Sequence, residues 1–162
     1  TALRRVALEE HAEQAGYDPA LGAQGVAVFL AERQKVTPYP DVAPALERLA
    51  ERYPLIALSN GNADVHRTDL AHLFPHAISA ATVGAAKPDP ALFRAAWERL
   101  GVAPGELAHI GDDPHRDIHA ARLLGMPTVW VNRHGAAWDG ALRRPDHEVA
   151  ELGELVALLE GA

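Results

Sequence analysis

Short apolar runs and stretches with apolar residues at helical spacing take turns along most of this chain. The runs Leu55–Leu58, Ile78–Val83, Ala108–Ile110, Thr128–Val131 and His147–Val149 predict buried strands. Between them, Val42, Leu46 and Leu49 form one helical stripe, with Asp41 placed to cap it. Val65, Leu70 and Phe74 form another over Ala63–Phe74. Leu92, Phe93, Ala96 and Trp97 form a third over Pro90–Leu100, which Gly101 closes. Ile118–Leu124, ended by Gly125, and Leu152–Leu159 complete the set. Strands alternating with helices in this way predict an α/β fold, a Rossmann-like parallel sheet with right-handed crossovers.

The front of the chain reads differently. Leu3, Val6, Ala7 and His11 share one helical face, Gly16 breaks the run, and Leu21, Val26, Phe29 and Leu30 mark a second helix. The turn-rich segment Val36-Thr37-Pro38-Tyr39-Pro40 then separates a helical part, residues 1–35, from an α/β part, residues 36–162. At 162 residues and 48% apolar, the chain has about one domain's worth of material for a core. Charge narrows the function: 15 Lys and Arg against 22 Asp and Glu give −7, and no basic cluster is longer than a pair such as Arg143-Arg144. Nucleic-acid binding needs clustered base, so no nucleic acid is expected. There is no cysteine, hence no disulfide framework or thiolate nucleophile. No apolar run nears the roughly 18 residues of a membrane span and no signal peptide is visible. A soluble, cytoplasmic protein, monomer or homodimer, with no membrane partner, is expected.

Three places at predicted strand ends carry chemistry. In Ala108–Arg122, AHIGDDPHRDIHAAR, a strand runs into Gly111, Asp112 and Asp113, with Asp117 four residues on. Ligands of open α/β sheets bind beyond the carboxyl ends of strands. A single Asp there reads as a helix cap. Clustered carboxylates repel, by about 4 kcal/mol at contact and an effective dielectric near 20, so the group favours a hard cation such as Mg²⁺. The second place is Ser59-Asn60-Gly61-Asn62. Its hydroxyl and glycine-freed N–H groups suit a phosphate, and equally suit an ordinary cap and tight turn. The third is Lys87, in Gly84-Ala85-Ala86-Lys87-Pro88-Asp89-Pro90. Alone it reads as a solvated loop lysine; on a proline-stiffened loop it is also a point charge for phosphate.

ALSNGN, the KPDP loop and IGDDPHRD together resemble the second, third and fourth motifs of the haloacid dehalogenase-like hydrolases, in order and spacing. The resemblance extends along essentially the whole chain, with residues 1–35 similar to part of a helical cap. RYPLIALSNGNADV and ELAHIGDDPHRD are similar to the family's bacterial phosphatases that act on flavin mononucleotide and on 5-amino-6-(5-phosphoribitylamino)uracil. The resemblance implies a Mg²⁺-dependent hydrolysis of small phosphate monoesters through an aspartyl-phosphate. It implies that Ser59 binds the phosphoryl group with the Asn60 and Gly61 backbone. Lys87 would neutralise phosphate and attacking carboxylate. Asp112 would ligate the metal, Asp113 would support it, and Asp117 would orient Lys87 or the metal's waters.

One family feature has no counterpart here. The first motif, a strand followed by DxDxT that carries the nucleophile, matches nothing in the sequence. The expectation is that the nucleophile Asp and the first core strand lie outside this chain. Its neighbours would then leave a groove, and the chain by itself would bind metal weakly and show no turnover. A 2-haloacid dehalogenase is the alternative enzyme, against which the pair Asp112-Asp113 argues; a catalytically inactive ligand- or partner-binding domain is the other. His115 and His119 stand at i, i+4 but lack an HExxH arrangement and a third ligand for zinc. There is no GxSxG elbow and no GxxxxGK[ST] loop. His109 reads as a core residue, Trp130 as core or site wall, and Trp138 and Arg133 as surface packing. Arg4, Arg5, Tyr17 and Arg33 are candidates for reading the leaving group.

Overall fold

The computed structural model describes residues 2–61 and 63–161; Thr1, Ala162 and Asn62, the last residue of the second motif, lie outside them. The chain opens with a helical hairpin, α1 (Ala2–Gln14) and α2 (Ala20–Glu32), turned at Gly16 in the left-handed region. A loop then leads to α3 (Val42–Ala50) and β1 (Ile56–Ser59). After it come β2 (His76–Ser79), α4 (Ala80–Val83), α5 (Pro90–Leu100) and β3 (His109–Gly111). A π-helical turn over Pro114–His119 runs into α6 (Ala120–Leu123). The chain closes with β4 (Thr128–Val131), β5 (His147–Val149) and α7 (Leu152–Glu160).

Every strand pairing is parallel, but the strands form two sheets. β1 pairs with β2, Ile56 opposite His76 through Ser59 opposite Ser79. β3, β4 and β5 form the other, with Gly111 opposite Trp130 and Val131 opposite Val149. Among the described residues no ladder joins β1 to β3. Between them lies an apolar cleft of about 440 Å³, lined from one side by Leu55–Leu58 and from the other by Leu107–Ile110. Ile110, in a strand, is 40% exposed.

Helices cover the sheets in two clusters. Leu49 of α3 and Leu155 of α7 pack with Val129 and Val149, against Leu55. Phe93 of α5 packs with Ala120, Ala121 and Met126, against Leu58. Leu55 and Leu58 are an odd number of residues apart, so an extended chain sends them to opposite faces. No helix of the described residues is long and apolar enough to cross a membrane.

Four local expectations are corrected. Ala63–Phe74 is not a helix. It holds two short 3₁₀ turns, Val65–Arg67 and Ala71–Leu73, because Asp64 and Thr68 side chains bond nearby backbone and break it into turns. The strand expected over Ile78–Val83 stops at Ser79, whose hydroxyl and Thr82 form a reciprocal cap that starts α4. The helix expected over Ile118–Leu124 begins earlier, in the π turn at Pro114. Asp41 does not cap α3: both its oxygens accept from Arg133, at 3.0 and 2.7 Å, and Oδ2 also from Leu152 N–H. The Arg133 hydrogen bonds, against some cost of burial, hold the Asp41 carboxyl below its usual range.

Candidate active site

Lys87 and Asp117 meet where the two sheets approach each other. Lys87 Nζ lies 2.6 Å from Asp117 Oδ1, and their side chains are only 12% and 6% exposed. The same ammonium donates to the Leu58 carbonyl at the end of β1, 3.2 Å away. One cation therefore reaches the edge strand of one sheet and the carboxylate that follows the edge strand of the other. A buried ion pair needs its remaining valences filled, and here they are. Asp117 Oδ1 also accepts from His109 Nε2 at 3.1 Å, and Oδ2 accepts from Asp113 N–H at 3.1 Å. Burial pushes the Asp117 carboxyl up. The His109 hydrogen bond and the Lys87 charge more than offset that and hold it at about 2.

The sequence brings this carboxylate inward by two local devices. The π turn bonds both Asp117 and Ile118 N–H to the Asp113 carbonyl, widening the first turn after β3. Gly111 supplies the space. A Cβ there would stand 2.5 Å from Asp117 Cβ and Cγ, so only glycine lets the carboxylate lie against the strand end.

Ser59 and Asn60 end β1. Ser59 Oγ accepts from Gly61 N–H at 2.9 Å, which shapes a tight loop. Asn60 clamps this loop to the lysine loop: its Nδ2 donates to Lys87 O at 2.8 Å and its Oδ1 accepts from Lys87 N–H at 2.7 Å. Behind Lys87, Asp89 caps α5 through Ala91 N–H, with Pro90 in the first turn. The structure thus brings Ser59, Asn60, Gly61, Lys87 and Asp117 to one place.

The two remaining carboxylates differ from each other. Asp113 is an N-cap: Oδ1 accepts from His115 and Arg116 N–H, at 3.0 and 2.8 Å, and Oδ2 lies 3.6 Å from Arg116 Nη1. Asp112 is exposed, and its carboxylate makes no hydrogen bond or ion pair among the described residues. Its backbone is fixed, because the buried Trp130 donates from Nε1 to the Asp112 carbonyl at 3.0 Å, with Trp138 edge-on to that indole. Among the described residues no three histidines or acids converge as a preformed metal cage. Mg²⁺ does not need one: it keeps several waters and takes one or two carboxylates plus substrate phosphate. Asp112 fits that pattern as a protein donor. His115 and His119 stack at 5.9 Å, and His119 Nδ1 accepts from Arg143 N–H.

Sequence reasoning missed the Asn60 clamp, the role of His109 as a partner of Asp117, and the Trp130 anchor. Signals for the last two existed. Parallel pairing of β3 and β4 puts Trp130 opposite Gly111, and His109 is two residues before that glycine.

The family model described as a haloacid dehalogenase-like hydrolase matches residues 2–125. Phosphoserine phosphatase from Thermus thermophilus is 36% identical over 158 residues, which cover 94% of this chain and 63% of that enzyme. The Escherichia coli 5-amino-6-(5-phospho-D-ribitylamino)uracil phosphatase YigB is 30% identical, covering 91% of this chain and 66% of its own length. The crystal structure of a 2-haloacid dehalogenase from Pseudomonas syringae pv. tomato superposes with a TM-score of 0.90 at 41% identity, over 99% of this chain and 71% of that one. The chain spans about three fifths to two thirds of the length of these curated relatives, 63% and 66%.

Proposed function

Because this chain belongs to the haloacid dehalogenase-like hydrolases, we propose that it provides the phosphoryl-binding and metal-facing part of a Mg²⁺-dependent phosphatase. Its substrates are small phosphate monoesters, flavin mononucleotide or a riboflavin-pathway phosphate among them. The observation that carries the reading is Lys87, buried and aimed between the Ser59 loop and Asp117. Phosphoryl transfer is mostly positioning and charge neutralisation, and this lysine is positioned by three partners at once. Ser59 and the backbone after it hold the phosphoryl oxygens, and Asn60 fixes the distance between that loop and Lys87. Asp117 pairs with Lys87 and holds it in place. Asp112, assisted by Asp113 through water, would hold Mg²⁺, which when bound offsets the charge on the phosphoryl oxygens.

The nucleophilic Asp, in this reading, lies outside the 162 residues, on a strand that fills the cleft between β1 and β3. The apolar lining of the cleft and the absence of a ladder across it among the described residues support that placement. The 162 residues alone are then expected to be inactive.

A second reading, 2-haloacid dehalogenase, is favoured by the 41% identical structural relative. One assay on the complete native protein separates them. Phosphate release from flavin mononucleotide and simple phosphate esters should require Mg²⁺, vanish with EDTA, and fall at least about 100-fold in Asp112→Asn. Halide release from 2-chloropropionate that persists in EDTA, without phosphate release, would overturn the phosphatase reading.

A further inference from the structure

His109 is a buried histidine to which the proposed chemistry gives no task. It stands on β3, 7% exposed, and its backbone N–H donates to the Pro127 carbonyl at 2.8 Å. Its ring meets the buried Phe93 edge-on, with 5.1 Å between ring centres. Strand residues two apart point to one face, so His109 shares a face with Gly111. The glycine makes room for the Asp117 carboxylate, and the imidazole behind it reaches that carboxylate through Nε2, 3.1 Å from Oδ1. A carboxylate only accepts, so Nε2 carries a proton and donates.

That oxygen has a second donor, because Lys87 Nζ lies 2.6 Å from the same Oδ1. An ammonium has three N–H bonds. One goes to Asp117 and one to the Leu58 carbonyl, 3.2 Å away. Among the described residues the third has no acceptor and is left for a phosphoryl group at Ser59. Its direction is set by the other two. The Leu58 carbonyl is fixed in β1, whereas a carboxylate turns easily about its last bond. The Asp113 N–H holds Oδ2 at 3.1 Å, and His109 holds Oδ1. Burial pushes the Asp117 carboxyl up, and the His109 hydrogen bond is the largest influence against that, ahead of the Lys87 charge.

We propose that His109 is a positioning residue of the phosphatase reaction, acting through Asp117 to aim the remaining N–H of Lys87 at the transferring phosphoryl group. The inference rests on the phosphatase reading above and deepens it, adding a donor that never touches the substrate. A charge attracts phosphate over several ångströms, so a misaimed ammonium still draws substrate in. Stabilising the phosphoryl oxygens in the transition state depends on aim. Loss of the His109 donor should therefore appear in kcat and not in KM.

The test is hydrolysis of p-nitrophenyl phosphate by the complete native protein with Mg²⁺, in two variants of similar side-chain length. His109→Gln keeps an N–H donor at its end and His109→Met has none. His109→Met should lower kcat at least about tenfold with KM within about twofold of wild type, and His109→Gln should recover most of that loss. Mg²⁺ affinity, read by calorimetry, should match wild type in both. Should His109→Met not fold, His109→Asn takes its place: its amide ends where the imidazole Nδ1 lies, short of Asp117, and the same fall in kcat is expected. A purely structural role makes the donor irrelevant, so equal kcat in His109→Gln and the variant without a reaching donor overturns the proposal. A rise in KM with kcat unchanged overturns it too. So does Mg²⁺ affinity that weakens along with kcat, which would route the effect through the Asp112 turn. Failure of wild type to hydrolyse either p-nitrophenyl phosphate or flavin mononucleotide with Mg²⁺ would instead sink the phosphatase reading on which this one stands.

Discussion

The two sheets are built from similar apolar strands but are buried to different degrees. β4 has a neighbour on each edge, and its first three residues, Thr128, Val129 and Trp130, are buried. Among the described residues β1 has β2 on one edge only, and all four of its residues, Ile56 to Ser59, are half-buried. Parallel strands read as continuous apolar runs because helices cover both faces and strands flank both edges. The run ending in Leu58 has the composition of such a strand without its surroundings. Among the described residues no ladder joins the halves; the two apolar clusters bridge them from either face, and Lys87 bridges them at the strand ends. The candidate site is the seam.

Ways to break that seam can be ranked. Asp117→Asn should have the largest effect, about 3 kcal/mol of lost stability in urea denaturation, because it leaves Lys87 and His109 facing a neutral amide in a buried place. The same carboxyl sets a pH dependence. Its folded value, about 2, lies below the ordinary one near 4. A depressed acid contributes stability that is fully present above the ordinary value and lost as pH falls through the folded one. The urea midpoint of wild type should therefore drop between about pH 4 and pH 2, and Asp117→Asn should lack that part of the drop.

Gly111→Ala should come next, costing about 2 kcal/mol, because the added methyl meets Asp117 at 2.5 Å and must push it off Lys87. It should also cut turnover of the complete protein, whereas a purely structural defect would leave turnover per folded molecule unchanged. Asn60→Ala should cost about 1 kcal/mol by removing the clamp between the β1 loop and the lysine loop. Amide exchange should then quicken in Ile56–Ser59 and leave Thr128–Val131 as it was. Asp113→Ala should have the smallest effect, up to about 1 kcal/mol for a lost cap. Its faster exchange should be confined to the turn after β3, the mirror of the Asn60 result.

Much of this was legible in the sequence because periodicity reports which face is buried. The Pro90–Leu100 helix and the strands Thr128–Val131 and His147–Val149 were readable to the residue. The strands that lead into Ser59 and Asp112 were readable to within one residue, Leu55–Leu58 against Ile56–Ser59 and Ala108–Ile110 against His109–Gly111. Ala63–Phe74 was misread because apolar spacing there competes with local side-chain bonds from Asp64 and Thr68, which spacing does not register. Asp41 was misread for the opposite reason: its partner Arg133 lies far along the chain.

The sequence by itself determined the α/β class, the strand ends where chemistry gathers and the residue types available there, because those depend on local pattern. Only the tertiary structure decided what each carboxylate does. Asp112, Asp113 and Asp117 are the same residue within six positions, yet one is exposed, one caps a turn and one is buried against a lysine. Their difference comes from which atoms the fold brings within about 3 Å, and hydrogen bonds and ion pairs depend on that distance rather than on order along the chain.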